Sequence, residues 1–245
     1  MNINEIIQQS FAMPFSEPAY PKGPYRFINR EYLIIKYETD LDAIKRIVPE
    51  PLTVTDPIVN FEFIRMPDSS GFGDYTESGQ AIPVMYNNQP GTYVHSMYLD
   101  DEAPIAAGRE IWGFPKKLAK PKVSIAGESL VGKLEYDSCN VATASMGYKF
   151  SKLDTKTVLN SMLQPSYLLK IIPHVDGSVR VCELVTYTLT EITVKEAWTG
   201  PAALELRPHA LARVADLPVR KIISATHAIT DLTLPYGKVV VDYLK

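Results

Sequence analysis

The sequence predicts a mainly β fold, an antiparallel barrel or sandwich carrying a few short peripheral helices, with residues 1–245 as one domain. Three observations lead there. Runs of β-branched and aromatic residues recur at short spacing, Gly, Pro, Asn and Asp cut them apart, and no long helical pattern separates them. With 46% hydrophobic and 22% charged residues, the chain has the composition of a globular protein able to bury a full core.

Strand patterns fall at 31–37, 58–66, 81–86, 92–99, 122–126, 130–136 and 141–148, then at 167–172, 179–190, 203–206 and 222–234. Helical patterns are short. They cover 3–9, 41–47 behind Thr39 and Asp40, 104–112 behind Asp100 or Asp101, and 155–163 behind Asp154. The 19 prolines are dispersed, so no Pro-rich linker divides the chain, and no internal repeat is visible.

Composition excludes several function classes. A net charge of -3, with no basic cluster beyond Lys116, Lys117, Lys120 and Lys122, argues against nucleic-acid partners. No apolar run approaches the roughly 18 to 20 residues that span a bilayer. The opening stretch lacks the positive and apolar regions of a signal peptide, and Cys139 and Cys182 form no C-x-x-C pair, so free thiols in a cytoplasmic protein are expected.

Three further patterns carry little. Gly127 to Lys133 matches G-x-x-x-x-G-K, but Leu134 replaces the magnesium-binding hydroxyl and the context reads as a hairpin. Gly71-Phe72-Gly73 opens no helix, and the acidic stretch 68–80 reads as a surface or lid loop. His95, His174, His209 and His227 show no metal-ligand spacing, and no G-x-S-x-G elbow is present.

The informative segment is Gly108-Arg-Glu-Ile-Trp-Gly-Phe-Pro-Lys116-Lys117, where two ammonium groups follow an apolar run. Gly113 suits the left-handed position after a helix, and Pro115 holds Phe114 extended, so the lysines leave a stiff turn. Adjacent lysines are in most proteins solvated surface charge. An amine that attacks a ketone must be neutral, however, and with a free-lysine pKa near 10.4 only about one in 2,500 is neutral at pH 7. A dry pocket or a second cation disfavours the charged form, and this segment offers both.

The chain also resembles the acetoacetate decarboxylase family. The likeness runs from Pro18-Ala-Tyr-Pro to the C-terminal Val241-Asp-Tyr-Leu-Lys, and it is carried by Asn29-Arg30-Glu31-Tyr32, Val48-Pro-Glu-Pro-Leu52, Tyr75-Thr-Glu-Ser-Gly-Gln-Ala-Ile-Pro83, Gly108-Arg-Glu, Phe114-Pro-Lys-Lys-Leu118 and Glu196-Ala-Trp-Thr-Gly-Pro201. The resemblance implies a barrel- or cone-like fold and a Schiff base on Lys116 with Lys117 as its neighbour; acetoacetate decarboxylase is itself a standard example of a lysine activated beside another cation. It also implies Arg30, Glu62 and Glu77 as polar groups in an apolar cavity, no metal or organic cofactor, a small β-keto acid as substrate, and a large homo-oligomer. Phe114 stands where some relatives carry tyrosine.

The residues themselves leave alternatives open. Glu62 alternates with Phe61 and Phe63 and faces away from both, toward either core or solvent. Glu77, in a turn-like stretch, and Arg30, at the start of a strand, also suit surface ion pairs. Two rivals to decarboxylation stand: a Schiff-base aldolase or dehydratase acting on another keto acid, and a non-catalytic protein that holds a small acid.

Overall fold

The computed structural model describes residues 1–245. Its fifteen strands are, in order, β1 (Tyr25–Glu38), β2 (Ile58–Ser69), β3 (Gly73–Tyr86), β4 (Gln89–Leu99), β5 (Lys116–Leu118), β6 (Lys120–Ala126), β7 (Ser129–Tyr136), β8 (Cys139–Gly147), β9 (Ser151–Lys152), β10 (Ser166–Pro173), β11 (Val179–Tyr187), β12 (Thr190–Thr199), β13 (Ala202–Leu206), β14 (Lys221–Leu234) and β15 (Lys238–Asp242). Four short helices are α1 (Ile3–Gln9), α2 (Leu41–Lys45), α3 (Glu102–Ala107) and α4 (Thr155–Met162). α3 runs directly into a π-type turn at Gly108–Trp112, so the expected helix 104–112 changes its winding halfway.

The larger sheet has eleven strands in the order β15-β11-β10-β4-β3-β2-β1-β14-β12-β9, with β5 added beside β4. Most neighbours are antiparallel; β4 pairs in parallel with β5 and with β10. A four-stranded antiparallel sheet, β13-β8-β7-β6, accompanies it. The mainly β expectation holds, with one correction: β15 and β9 are free edges, so hydrogen bonding does not close the large sheet into a barrel.

Alternation along the strands divides the molecule into a packed side and a hollow side. Leu33, Ile35, Tyr37, Phe61 and Phe63 point to one face and share a core of 28 buried residues with Leu130, Leu134 and Ala144 of the small sheet. Tyr32, Ile64, Met66 and Tyr75 point to the other face and join a separate cluster around Trp112 and Phe114. A one-residue offset in strand pairing would exchange these two sets, so the pattern fixes the register.

The stretch 68–80 is corrected from loop to sheet. β2 continues to Ser69, a tight turn follows, and β3 is already paired at Gly73. Ser78, Gly79 and Gln80 lie buried in the middle of the sheet. Gly79 is required by proximity, since a Cβ there would fall 2.1 Å from the Ser96 carbonyl oxygen on β4. Gln80 is satisfied internally, its Nε2 donating to Tyr37 Oη at 3.0 Å and to the Val214 carbonyl at 2.9 Å. The pattern at 179–190 is likewise corrected to two strands, β11 and β12.

Candidate active site

A cavity of about 550 Å³ opens on the hollow side of the large sheet, and 17 of its 32 lining residues are hydrophobic. Both values suit a small-molecule site. Arg30, Glu62, Glu77 and Lys116 line it and are contributed by β1, β2, β3 and β5. Lys36, Thr157, Ser161, Gln164 and Ser224 also line it and are exposed, which marks the rim.

Arg30 reaches the cavity through an irregularity in β1. Asn29 has φ of 55°, and the pairing with β14 slips between Phe27 and Arg30. Asn tolerates that left-handed backbone better than most residues. Here its amide donates to Asp231 Oδ1 at 2.8 Å, and its side-chain oxygen accepts from Lys195 at 2.6 Å. Residues three apart on a regular strand face opposite ways; the bulge turns both Phe27 and Arg30 inward. The guanidinium then lies over the rings of Phe27 and Tyr32, at 5.1 and 5.0 Å from their centroids.

Lys116 is placed by the π-type turn. The Gly108 carbonyl accepts from both Gly113 N and Phe114 N at 3.0 Å, and Gly113 takes the expected left-handed conformation with φ of 85°. Arg109 Nη1 donates to the Lys116 carbonyl at 3.2 Å, and β5 then pairs with β4. The Lys116 side chain is only 8% exposed, with its Nζ 5.2 Å from the centre of the Phe114 ring.

Glu77 joins these two cations. Its Oε1 lies 2.7 Å from Lys116 Nζ, and its Oε2 lies 4.0 Å from Arg30 Nη2. The short contact is an ion pair lacking the angle of a directed hydrogen bond, and Oε1 and Arg30 Nε are both buried without a hydrogen-bond partner in the protein. Glu62 completes the group. Burial pushes its carboxyl up to about 7, against the opposing pull of Arg30 and with Glu77 adding to the rise. Burial likewise raises the Tyr187 hydroxyl to about 12 and Tyr75 well above its ordinary value.

Four of the five residues singled out in the sequence therefore meet in one cavity, and Lys117 does not. Next to Lys116 on a strand, it points to the opposite face. Its Nζ donates to the Leu211 carbonyl at 2.6 Å and lies 4.8 Å from the centre of the Tyr136 ring. The expectation of two ammonium groups side by side is corrected, and Arg30 is the cation that shares Glu77 with Lys116.

The sequence reading passed over three cavity tyrosines. Tyr32 and Tyr75 each stand two residues from a named site residue, so alternation from Arg30 and Glu77 was a usable signal. Tyr187 arrives on β11, remote in sequence, and no local pattern announced it.

The arrangement can hold a carboxylate by Arg30, present an amine to a carbonyl and exchange protons through two carboxyl groups. The family model for acetoacetate decarboxylase (ADC) matches residues 12–244. Acetoacetate decarboxylase from Acidiphilium cryptum is 61% identical over 244 residues, covering 100% of both chains. Acetoacetate decarboxylase 1 from Bradyrhizobium diazoefficiens is 59% identical over 100% of this chain and 98% of its own. The crystal structure of acetoacetate decarboxylase from Legionella pneumophila superposes with a TM-score of 0.93 at 56% identity, covering 98% of this chain and 97% of the other. The chain belongs to the acetoacetate decarboxylase family.

Proposed function

We propose that this protein decarboxylates acetoacetate to acetone and CO₂ through a Schiff base on Lys116. The observation that carries the reading is a lysine amine buried in an apolar cavity, 2.7 Å from a carboxylate. Addition to a ketone requires that amine in its neutral form, and Glu77 is the carboxylate within reach to take its proton.

Each step follows from that pair. The neutral amine adds to the ketone carbon, and loss of water leaves a protonated imine β to the substrate carboxylate. Arg30, with a free buried Nε, holds the carboxylate. The bond to CO₂ breaks and its electron pair moves into the imine, giving an enamine. Glu62, titrating at about 7, is part-protonated near neutrality, as a general acid must be, and supplies the proton to the enamine carbon. Water then hydrolyses the imine, releasing acetone and the free amine. Lys117 has no place in these steps.

Acetoacetate alone tests the reading against its rivals. Acetone and CO₂ should form in equal amounts above the spontaneous rate with no aldehyde present. Turnover that begins only when an aldehyde is supplied would move the assignment to an aldolase. Neither product with any keto acid would leave a binding protein.

The same reading extends to a homo-oligomer working in the cytoplasm. Assembly is supported by α1, which buries no residue of its own and exposes Ile3, Ile6 and Ile7. The location is supported by the unpaired thiols of Cys139 and Cys182.

A further inference from the structure

Between α3 and β5, one glycine lies directly against the arm of the reactive lysine. A Cβ built on Gly108 would fall 2.6 Å from Lys116 Cδ, 2.8 Å from Cε and 3.2 Å from Nζ. Beyond the glycine's own stretch of backbone these are the nearest atoms, so the missing side chain leaves the channel in which the lysine lies. The backbone conformation does not ask for glycine, since φ of -61° and ψ of -45° suit any residue. What a side chain would meet is a flexible amine arm.

The surroundings leave that arm few alternatives. Phe114 lies on one side of the amine and Glu77 on another. The main chain of Lys116 is fixed by Arg109 and by pairing with β4. The main chain of Gly108 is fixed by the two hydrogen bonds its carbonyl accepts. With both backbones held, an added methyl group is accommodated by swinging the lysine away from Glu77.

We propose that Gly108 is a positioning residue for Lys116, its bare Cα setting the direction in which the amine meets the substrate carbonyl. This rests on Lys116 forming the Schiff base. Displacing a reacting group by about 1 Å costs on the order of 100-fold in rate. Gly108→Ala should therefore lose roughly that factor in kcat, with a matching loss in the rate at which borohydride traps an acetone imine. Inhibition by 3-hydroxybutyrate, which offers the carboxylate but no ketone, should change by less than about three-fold, because Arg30 is untouched.

Two backgrounds separate positioning from a structural role. In the wild-type background, Gly108→Ala should lower the melting temperature, or even prevent folding, because methyl and lysine arm compete for one space. In a Lys116→Ala background the same substitution should be nearly neutral, because the arm is gone. Equal destabilisation in both backgrounds, or a kcat and trapping rate unchanged by Gly108→Ala, would overturn the proposal. Failure to trap any imine in the wild type would instead remove the Schiff-base reading beneath it.

Discussion

Glu62 gives the residue scale its clearest consequence. Its carboxyl is pushed up to about 7 from an ordinary 4.5. Between those values the unfolded chain has released this proton and the folded chain still holds it. Stability from this group is therefore full below about pH 4.5 and is lost as pH rises toward 7. Glu62→Gln should remove that loss: its stability relative to wild type should rise by up to about 3 kcal/mol from pH 4 to pH 8 in denaturant titrations. Parallel pH profiles would contradict the buried state of this acid. Lys117 carries the opposite expectation. Because it bonds to Leu211 on the far face, Lys117→Ala should move the acid limb of the pH–rate profile by less than about half a unit, since separation and solvent screen its charge. A large shift would restore it as the activating cation. Lys116 stood out locally because charge followed an apolar, stiffened turn, whereas alternation with two phenylalanines left the facing of Glu62 open and only the family resemblance pointed it to the cavity. The facing of Lys117 was not, because three residues of strand become recognisable only when β4 pairs with them.

At the scale of elements, the misreadings share a physical origin. The stretch 68–80 has the composition of a turn, yet Ser78, Gly79 and Gln80 occupy the centre of the sheet. Small and polar residues suit that place because β4 approaches closely and because Tyr37 and Val214 wait for the Gln80 amide. Tertiary contacts override local propensity there. Gly79→Ala should cost about 3 kcal/mol or more, since its methyl group meets the rigid Ser96 backbone in place of a movable side chain. A loss below about 1 kcal/mol, read from the denaturant midpoint, would show that β3 and β4 can part without penalty. The bulge at Asn29 is a second example. Nothing local to Arg30 reveals that the strand has slipped, since the slip is held by Asp231 and Lys195 from β14 and β12. Two short helices were readable because their caps are local: Asp101 and Asp154 accept from the amides of Ala103 and Lys156, whereas Asp40, expected to cap α2, makes no cap bond and pairs with Arg220.

Across the whole molecule, the large sheet has two unlike faces. One shares its core with the small sheet, and the other holds a cavity into which β1, β2, β3 and β5 deliver four ionisable side chains. Strand content and alternation made the β architecture legible, whereas the open edges at β9 and β15 depend on pairings that no local pattern encodes. The central claim is that the buried amine of Lys116 condenses with the substrate ketone. Incubating the full chain with acetoacetate and borohydride, then locating the modified residue by mass spectrometry of its peptides, tests it most directly. An isopropyl group on Lys116 and on no other lysine is the expected result; an unmodified Lys116, or label confined to exposed lysines such as Lys36, would contradict it.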